Sequence, residues 1–310
     1  MREAPTGIDD VDVLHLVRDQ WAPEADAVEH LPVGFGAHHW AASRAGTRTH
    51  FTTLDALGTR HTAGSLEAAY GTAAALAEQV DFVLAPLPTR AGTYTAPIAT
   101  SALSATRWVW GETPAVLDGP RTAGLLAQLH AATPPATTPT WEPLVSPDLA
   151  DQLAGRCSTP WTSGPYGETV RLALREHLPA IARWTAGYHR LCAVARTRPW
   201  VVTHGEPHES NQLSEDGHLW LVDWESVKLA PAERDLRTLL EREHALPADP
   251  AMLELFDLEW RLDEISQYAA WFAAPHTGTA SDDVAVEGLL HELIRPPLRT
   301  TGTVRAGSAL

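Results

Sequence analysis

An acid, an amide and a second acid follow one another closely in the segment from residue 201 to residue 225: Glu206, Asn211 and Asp223. Transfer of a γ-phosphoryl group needs a carboxylate that orients the attacking hydroxyl and accepts its proton, and it needs oxygen ligands for nucleotide-bound magnesium. Glu206 can supply the carboxylate, and Asn211 and Asp223 can supply the ligands. The residue types and their spacing therefore predict a phosphoryl-transfer centre.

Two short strands must position these side chains. The apolar residues 200–202 predict a buried strand that runs into a loop beginning at His204, and residues 219–222 predict a strand that ends at Asp223. The Glu-Asp-Gly sequence at 215–217 supplies the turn, because glycine readily adopts a positive φ. We therefore expect two adjacent strands to bring the three polar side chains to the same end of a small sheet.

This segment resembles the aminoglycoside phosphotransferase and choline kinase-like enzymes, which are distant relatives of the protein kinases. In that family the loop reads H-G-D-x-x-x-x-N and is followed by a strand and D-[WFL]-[ED]; this chain has H-G-E-P-H-E-S-N and D-W-E. The resemblance implies that Glu206 is the catalytic base, that Asn211 and Asp223 hold magnesium, and that His204 braces the loop. Glu206 replaces the common aspartate, so its carboxylate lies one methylene further from the backbone.

A metal-hydrolase interpretation starts from His204 and His208, which are four residues apart with Glu206 between them. Two histidines at this spacing on one helix face can bind zinc. Such a site needs a continuous helix, and Gly205 and Pro207 argue against one. The phosphoryl-transfer interpretation is therefore favoured.

The composition is typical of a soluble globular protein, because 44% of the 310 residues are hydrophobic and 20% are charged. The sequence contains no long apolar run and no basic segment before a hydrophobic one near its N-terminus, so we expect a cytoplasmic protein. A formal net charge of -16 disfavours a nucleic-acid partner and favours a cationic small molecule. The two cysteines, Cys157 and Cys192, are too few for a disulfide framework or a four-cysteine zinc site.

The predicted elements begin with a small sheet and continue with helices. An amphipathic helix is predicted over 9–20, with Asp9 or Asp10 as its cap. Strands are predicted over 31–40, which contains a glycine turn, and over 49–54, 82–87, 94–99 and 103–109, with a helix over 65–79 among them. Helical spacing follows over 122–132, 170–178 and 181–195, with a loop over 133–139 and a frayed tail from Pro297.

This order is that of the family's bilobal protein-kinase-like fold, which belongs to the α+β class. The resemblance implies a sheet-rich amino-terminal lobe over 1–112. It also implies a larger, mainly helical lobe over 113–310, which carries the catalytic loop, the metal site and the acceptor-binding helices.

The resemblance also implies which residues contact the nucleotide. The turn at Gly34, Phe35 and Gly36 would cover it, because glycines allow the backbone to approach phosphates. Trp110, in the hinge at 109–113, would contact the base.

One feature of the family is missing. Its members carry a lysine on the third strand, which pairs with the phosphates and with a glutamate of the next helix. The only lysine of this chain is Lys228, in the carboxy-terminal half. The remaining candidates are Thr52 or Thr53 at the lysine position, Arg48 or Arg60 as substitute cations, and Glu67 or Glu78 as the partner.

The carboxy-terminal half adds supporting residues and acceptor candidates. Asp235 begins a predicted helix, where it can act as a cap, and the resemblance implies that it also holds the catalytic loop. Glu225 either supports the metal site or faces solvent. The amphipathic helix predicted over 253–272 carries the carboxylates that the resemblance places near a cationic acceptor: Glu259, Asp263 and Glu264.

These patterns predict an O-phosphotransferase that uses ATP or GTP and Mg2+. Its expected acceptor is a hydroxyl of an antibiotic, such as an aminoglycoside, an aminocyclitol or a nucleoside, and its expected effect is resistance. A kinase for choline, homoserine or a sugar is the nearest alternative, because acceptor choice rests on variable helices. The missing lysine also leaves open a pseudo-kinase that binds nucleotide without transfer.

Overall fold

The structure, a computed structural model, describes residues 2–34, 36–58, 60–242, 244 and 246–298. These residues form two compact units. The first comprises the described residues of Met1–Thr140 and Val201–Ala230, and the second comprises those of Trp141–Trp200 and Pro231–Leu310. This division differs from the predicted lobes, 1–112 and 113–310, because residues 113–140 and 201–230 pack within the first unit. The lobe boundary itself stays a prediction.

A five-stranded antiparallel sheet opens the first unit. Its strands, in the spatial order β1-β2-β3-β5-β4, are β1 (Ala27–Leu31), β2 (His38–Arg44), β3 (Thr47–Ala56), β5 (Ser101–Arg107) and β4 (Thr95–Ile98). Residues on β3 alternate between the two faces of the sheet. Thr52 and Leu54 therefore face one side, whereas Thr53 and Asp55 face the other.

Helix α1 (Asp10–Gln20) packs on the face that contains Leu54. Asp9 is its cap, as predicted, and its side chain accepts hydrogen bonds from the backbone N–H groups of Val11 and Asp12. The helix and the sheet share one core cluster of buried residues: Val13, Val17, Ala25, Trp40, Ala42, Leu54 and Leu103.

Leu103→Ala is expected to lower the free energy of unfolding by about 2–5 kcal/mol, because truncation of a fully buried leucine leaves a cavity in this cluster. Urea unfolding followed by circular dichroism measures the change. Val116→Ala is the control: its side chain is 77% exposed, so its effect should stay within about 0.5 kcal/mol. Equal stability of the two variants would contradict the packing described for Leu103.

Helix α2 (Ala63–Ala77) follows β3 and confirms the helix predicted over 65–79. Its cap is Thr62, whose side chain accepts a hydrogen bond from the Ser65 N–H. The helix packs against the short 3-10 turn Trp224–Ser226. It therefore lies beside the D-W-E motif.

Two small antiparallel pairs frame the segment that contains Glu206. Strand β6 (Val201–Thr203) pairs with β9 (Lys228–Ala230), and β7 (Gln212–Glu215) pairs with β8 (His218–Leu221). The predicted adjacency of the strands at 200–202 and 219–222 is therefore wrong. The Gln-Leu-Ser-Glu sequence of β7 is the neighbour of β8, although its polar residues do not predict a strand. Lys228 lies in the first unit, together with the five-stranded sheet.

The strand predicted over 82–87 is also wrong. This segment bridges two strands without joining either: the Leu84 N–H donates to the Leu221 carbonyl (3.0 Å), and the Leu87 N–H donates to the Ala105 carbonyl (2.7 Å). Phe82, Val83 and Leu84 are buried by this position. Burial on both sides gives an apolar run that is indistinguishable from a buried strand.

Helix α3 (Gly119–Ala131) completes the first unit, and residues 133–139 form the predicted loop. The second unit is helical and contains α4 (Leu149–Arg156), α5 (Gly167–Ala195), α6 (Glu233–Glu241), α7 (Pro250–Ala273) and α8 (Ala280–Ile294). The helices predicted over 170–178 and 181–195 are one, because α5 continues through Pro179 and packs along α7.

The tail predicted from Pro297 lies outside the described residues beyond residue 298. Across the parts of the chain that the structure describes, we find no helix with the length and apolar character needed to cross a lipid bilayer.

Candidate active site

His204 ties the loop after β6 to the end of β8. The ring is fully buried, and its Nε2 lies 2.8 Å from the Val222 carbonyl while its Nδ1 lies 3.2 Å from the Glu206 backbone nitrogen. Because the backbone N–H donates to Nδ1, the proton of the neutral ring must be on Nε2, which donates to the carbonyl. The ring also packs edge-on against Trp224. Both ring nitrogens are thus engaged with the backbone, which leaves neither for zinc.

His204→Ala is expected to lower the free energy of unfolding by about 2–5 kcal/mol, since it leaves two buried backbone groups without their partner. Denaturant unfolding measures the loss, with His218→Ala as a control at a more exposed position. If His204→Ala removed activity without changing stability, the histidine would have a chemical part and the bracing interpretation would be wrong.

Hydrogen bonds join Asn211 to Glu206 and to Val222, the residue before Asp223, within the first unit. The Asn211 side-chain nitrogen donates to the Glu206 carbonyl (3.0 Å), and the Val222 N–H donates to the Asn211 carbonyl (3.0 Å). Since the Asn211 amide nitrogen is used in this way, its oxygen is the atom left for a cation. Asp223 follows Val222 directly and has a left-handed backbone with φ 68°, a conformation that is uncommon outside glycine and concentrated at functional sites.

Three further polar side chains surround the Glu206 carboxylate. Its Oε1 lies 3.6 Å from Arg60 Nη2 and 3.5 Å from the Ser226 hydroxyl, and its Oε2 lies 3.7 Å from His208 Nε2. The carboxylate is therefore held at the protein surface of the first unit by groups from three different segments. The carboxylate therefore has a polar environment.

Two carboxylates of the D-W-E motif lie side by side. Desolvation by the surrounding protein raises the pKa of Asp223, although its side chain is exposed; a hydrogen bond with Glu225 acts against this rise, and repulsion by Glu206 and Asp55 adds to it. Burial and the charge of Asp223 raise the pKa of Glu225 well above its usual range. Two adjacent carboxylates cannot both be ionised without a cost that a cation between them would relieve.

Asp55 is a further candidate site residue, which the sequence did not indicate. Its side chain is buried on the face of β3 opposite α1, and the Tyr70 hydroxyl donates to its Oδ2 at 3.1 Å. Burial, followed by repulsion from Glu225, raises the pKa of Asp55 to about 7. The signal that could have found it is the period of two along β3, which puts it on the same face as Thr53.

The donor set fits Mg2+ and does not fit zinc. No group of three His, Cys, Asp or Glu residues in the described part of the chain is arranged to hold a metal. Asn211 and Asp223 offer oxygen atoms, which suit a nucleotide-bound Mg2+ that takes one or two protein carboxylates and keeps other ligands. In addition, Glu225 Oε2 is buried and has no hydrogen-bond partner among the described residues. An oxygen in this state is stabilised by a nearby cation.

The glycine turn lies between β1 and β2. Gly34 and Gly36 both have positive φ, 70° and 94°, and a Cβ on Gly34 would lie 2.9 Å from His39 Nε2. Only glycine fits there without a shift. Phe35, the third residue predicted to cover the nucleotide, lies outside the described residues.

The predicted hinge, residues 109–113, is hydrogen-bonded to β7. The Trp110 N–H donates to Glu215 Oε1 (3.0 Å), and Glu112 and Ser214 exchange two backbone hydrogen bonds of 3.0 and 2.8 Å. The Trp110 side chain is 66% exposed, so its ring is accessible to a ligand.

Thr52 and Thr53, the two candidates for the lysine position on the third strand, are uncharged and lie in different surroundings. Thr52 is fully buried on the α1 side and donates to the Trp40 carbonyl, whereas the Thr53 hydroxyl contacts His39 Nδ1 at 3.2 Å on the opposite face. Thr53 therefore occupies the face that also carries Asp55.

The arginines and glutamates that were candidates for replacing the missing lysine and its partner lie in different parts of the first unit. Arg48 pairs with Glu29 (2.7 Å) and lies over the Trp108 ring, while Arg60 lies beside Glu206. Glu67 accepts hydrogen bonds from the N–H groups of residues 94 and 95, so it fastens β4 to α2. Glu78 is exposed at the end of α2.

The acceptor candidates lie on α7 in the second unit. Glu259 is buried, and its carboxylate accepts hydrogen bonds from Trp141 Nε1 (2.9 Å) and the Tyr188 hydroxyl (2.5 Å). Asp263 and Glu264 are partly exposed, and Asp263 accepts a hydrogen bond from Gln267. Asp235 is fully buried in the first turn of α6. Their roles stay predictions.

An antiparallel sheet, a helical second unit and an acid–amide–acid site define a kinase-like phosphotransferase. The chain belongs to the phosphotransferase enzyme family, whose model matches residues 36–279. Protein StrN of Streptomyces griseus is 32% identical over 239 residues, which cover 69% of this chain and 72% of that protein. The resemblance seen in the sequence is therefore confirmed.

Solved structures show the same fold. Spectinomycin phosphotransferase in complex with ADP and spectinomycin matches with a TM-score of 0.70 at 15% identity, over 94% of this chain and 96% of that one. A microcompartment-associated aminopropanol kinase matches with a TM-score of 0.58 at 12% identity, over 92% and 95% of the two chains. An amicoumacin kinase in complex with AMP-PNP and Ca2+ matches with a TM-score of 0.57 at 12% identity, over 94% and 96%. The predicted α+β protein-kinase-like fold is confirmed, and the chain is a phosphotransferase with an alcohol group as acceptor.

Proposed function

We propose that this chain transfers the γ-phosphate of ATP or GTP, with Mg2+, to a hydroxyl of an antibiotic and thereby gives resistance to it. The proposal is carried by the hydrogen bonds that join Asn211 to Glu206 and to Val222, the residue before Asp223, beside a buried Glu225 oxygen without a hydrogen-bond partner among the described residues. A nucleoside triphosphate and a small-molecule acceptor are its partners. We propose the cytoplasm as its location, because nucleoside triphosphates are available there.

Glu206 orients the acceptor hydroxyl and takes its proton from the oxygen that attacks phosphorus. The neighbouring Ser226 and Arg60 keep this carboxylate in place. Asn211, through its amide oxygen, and Asp223 hold Mg2+, which neutralises charge on the phosphates when bound. The turn at Gly34 and Gly36 covers the phosphates. The rate enhancement then comes from positioning and from charge neutralisation.

The nature of the acceptor is supported by charge and by two structural relatives. The net charge of -16 favours a cationic small molecule, and two of the matched folds are a spectinomycin phosphotransferase and an amicoumacin kinase. Within α7, we propose Asp263 and Glu264 as the carboxylates that contact the acceptor. Glu259 is a weaker candidate than it was from sequence, because Trp141 and Tyr188 already bind its oxygens.

A metabolic kinase is the second candidate, favoured by the match to an aminopropanol kinase. A pseudo-kinase follows from the threonines at the lysine position. Magnesium-dependent consumption of ATP in the presence of an acceptor panel separates a pseudo-kinase from both enzymes.

The test is resistance profiling of a sensitive bacterium that expresses the chain, with aminoglycosides, spectinomycin and nucleoside antibiotics. An inactivated drug that has gained the mass of one phosphate supports the proposal. Phosphorylation of choline, homoserine, a sugar or aminopropanol, with no change in drug sensitivity, would establish the metabolic alternative instead.

A further inference from the structure

The proposed site concentrates negative charge. Four carboxylates, those of Asp55, Glu206, Asp223 and Glu225, influence one another there, as their shared repulsion shows. A nucleoside triphosphate adds further negative charge. One Mg2+ supplies two positive charges, so an additional cation from the protein would strengthen binding.

We propose that Arg60 is this cation and that it binds the nucleotide phosphates. The inference rests on the proposed function, because it assigns a residue to the phosphate end of the same site. Arg60 stands between β3 and α2, and no lysine stands at the corresponding part of the sheet.

The position of Arg60 carries the argument. Its Nη2 lies 3.6 Å from Glu206 Oε1, the carboxylate nearest to the transferred group in the proposed mechanism. Its charge also lowers the pKa of Asp55, of Asp223 and of Glu225. Arg60 therefore lies within electrostatic reach of the whole carboxylate cluster.

The Arg60 side chain is 48% exposed, so a ligand in solvent can reach it. The loop that carries it is closed by a hydrogen bond from the Gly58 N–H to the His61 carbonyl (2.8 Å), and the next residue, Thr62, caps α2. A planar guanidinium on a short, closed loop can form two parallel hydrogen bonds to a phosphate.

The competing cations are less well placed. Arg48 is already bound to Glu29 and to the face of Trp108. Burial, together with the charges of Arg60 and Lys228, lowers the pKa of His61 to about 4, which leaves this histidine neutral at pH 7. Lys228 on β9 is the remaining rival, because its charge reaches His61.

Arg60→Gln tests the inference through nucleotide binding measured by calorimetry. We expect ATP affinity to fall by about 10- to 100-fold, because a charged hydrogen-bond donor to phosphate is lost, while adenosine affinity stays unchanged. Arg60→Lys should recover part of the ATP affinity. The matched control is Arg48→Gln, which removes an arginine engaged elsewhere on the same sheet and should bind ATP like the wild-type protein.

The outcomes separate this inference from the proposed function. If the wild-type chain phosphorylates its acceptor and Arg60→Gln binds ATP normally, Arg60 is not the phosphate ligand and the function stands. A loss of ATP affinity in Lys228→Gln but not in Arg60→Gln would assign the phosphates to Lys228 and overturn the inference. A wild-type chain that binds neither ATP nor GTP would overturn both.

Discussion

Glu206→Gln is expected to lower kcat by about 10³-fold, because positioned proton transfer contributes roughly 10²–10⁴-fold to such reactions. The substitution keeps the size of the side chain and its contact with Ser226. It leaves the Asn211 bond intact, since that bond goes to the backbone carbonyl of residue 206. ATP affinity should therefore change by less than about threefold, which is below 1 kcal/mol.

Steady-state kinetics together with ATP binding measure the two effects separately. Glu209→Gln is the matched control, because it removes a carboxylate from the same loop at a position without a proposed role. We expect its kcat to stay near that of the wild-type protein. Transfer by Glu206→Gln at the wild-type rate would remove Glu206 from the mechanism.

The extra methylene of Glu206, relative to aspartate, can be tested with a second variant at the same position. Glu206→Asp restores the common residue of the family but withdraws the carboxylate from Arg60 and His208, which lie 3.6 and 3.7 Å away. A misplacement of about 1 Å costs on the order of 10²-fold in rate. We expect Glu206→Asp to be slower than the wild-type protein and faster than Glu206→Gln.

The parts of the site that the sequence predicted are those formed by neighbouring residues. The loop after β6 is fixed by hydrogen bonds between residues 204 and 206 and between residues 206 and 211. The spacing of these residues in the sequence therefore predicts the geometry of the loop. The same holds for the cap Asp9, whose side chain bonds to a backbone N–H three residues later. Local hydrogen bonding of this kind is visible in residue order.

What the sequence could not predict depends on distant pairing. Strand β6 pairs with β9 rather than with β8, and residues 82–84 are buried although the segment 82–87 forms no strand. Pro179 does not end α5, because the packing of that helix against α7 outweighs the local penalty. The proposed roles of Asp55 and Arg60 likewise depend on how β3 and α2 pack against the D-W-E motif. Hydrophobic periodicity does not predict such packing between distant segments.

Asp223→Asn is expected to have the second large effect, a loss of about 10³-fold in kcat, since metal ligation supplies several kcal/mol of charge stabilisation. The Mg2+ concentration needed for half-maximal activity should rise as well. The backbone should tolerate the change, because asparagine adopts the left-handed conformation of residue 223 at least as readily as aspartate.

The stability of the Asp223→Asn variant should increase, whereas its activity falls. The raised pKa values of Asp223 and Glu225 mean that their charges oppose folding at neutral pH when no cation is present. Removing one of the two charges should therefore raise the unfolding midpoint of the metal-free protein, an exchange of stability for function that is common at active sites.

Asp216→Asn is the matched control for this pair of effects. Asp216 also has a left-handed backbone, with φ 48°, but it lies in the turn between β7 and β8. The control should keep both activity and Mg2+ dependence, so any effect of the backbone conformation alone would appear in it. If Asp223→Asn retained the wild-type Mg2+ dependence, or lowered the unfolding midpoint, the carboxylate would not be a metal ligand held against its neighbour Glu225.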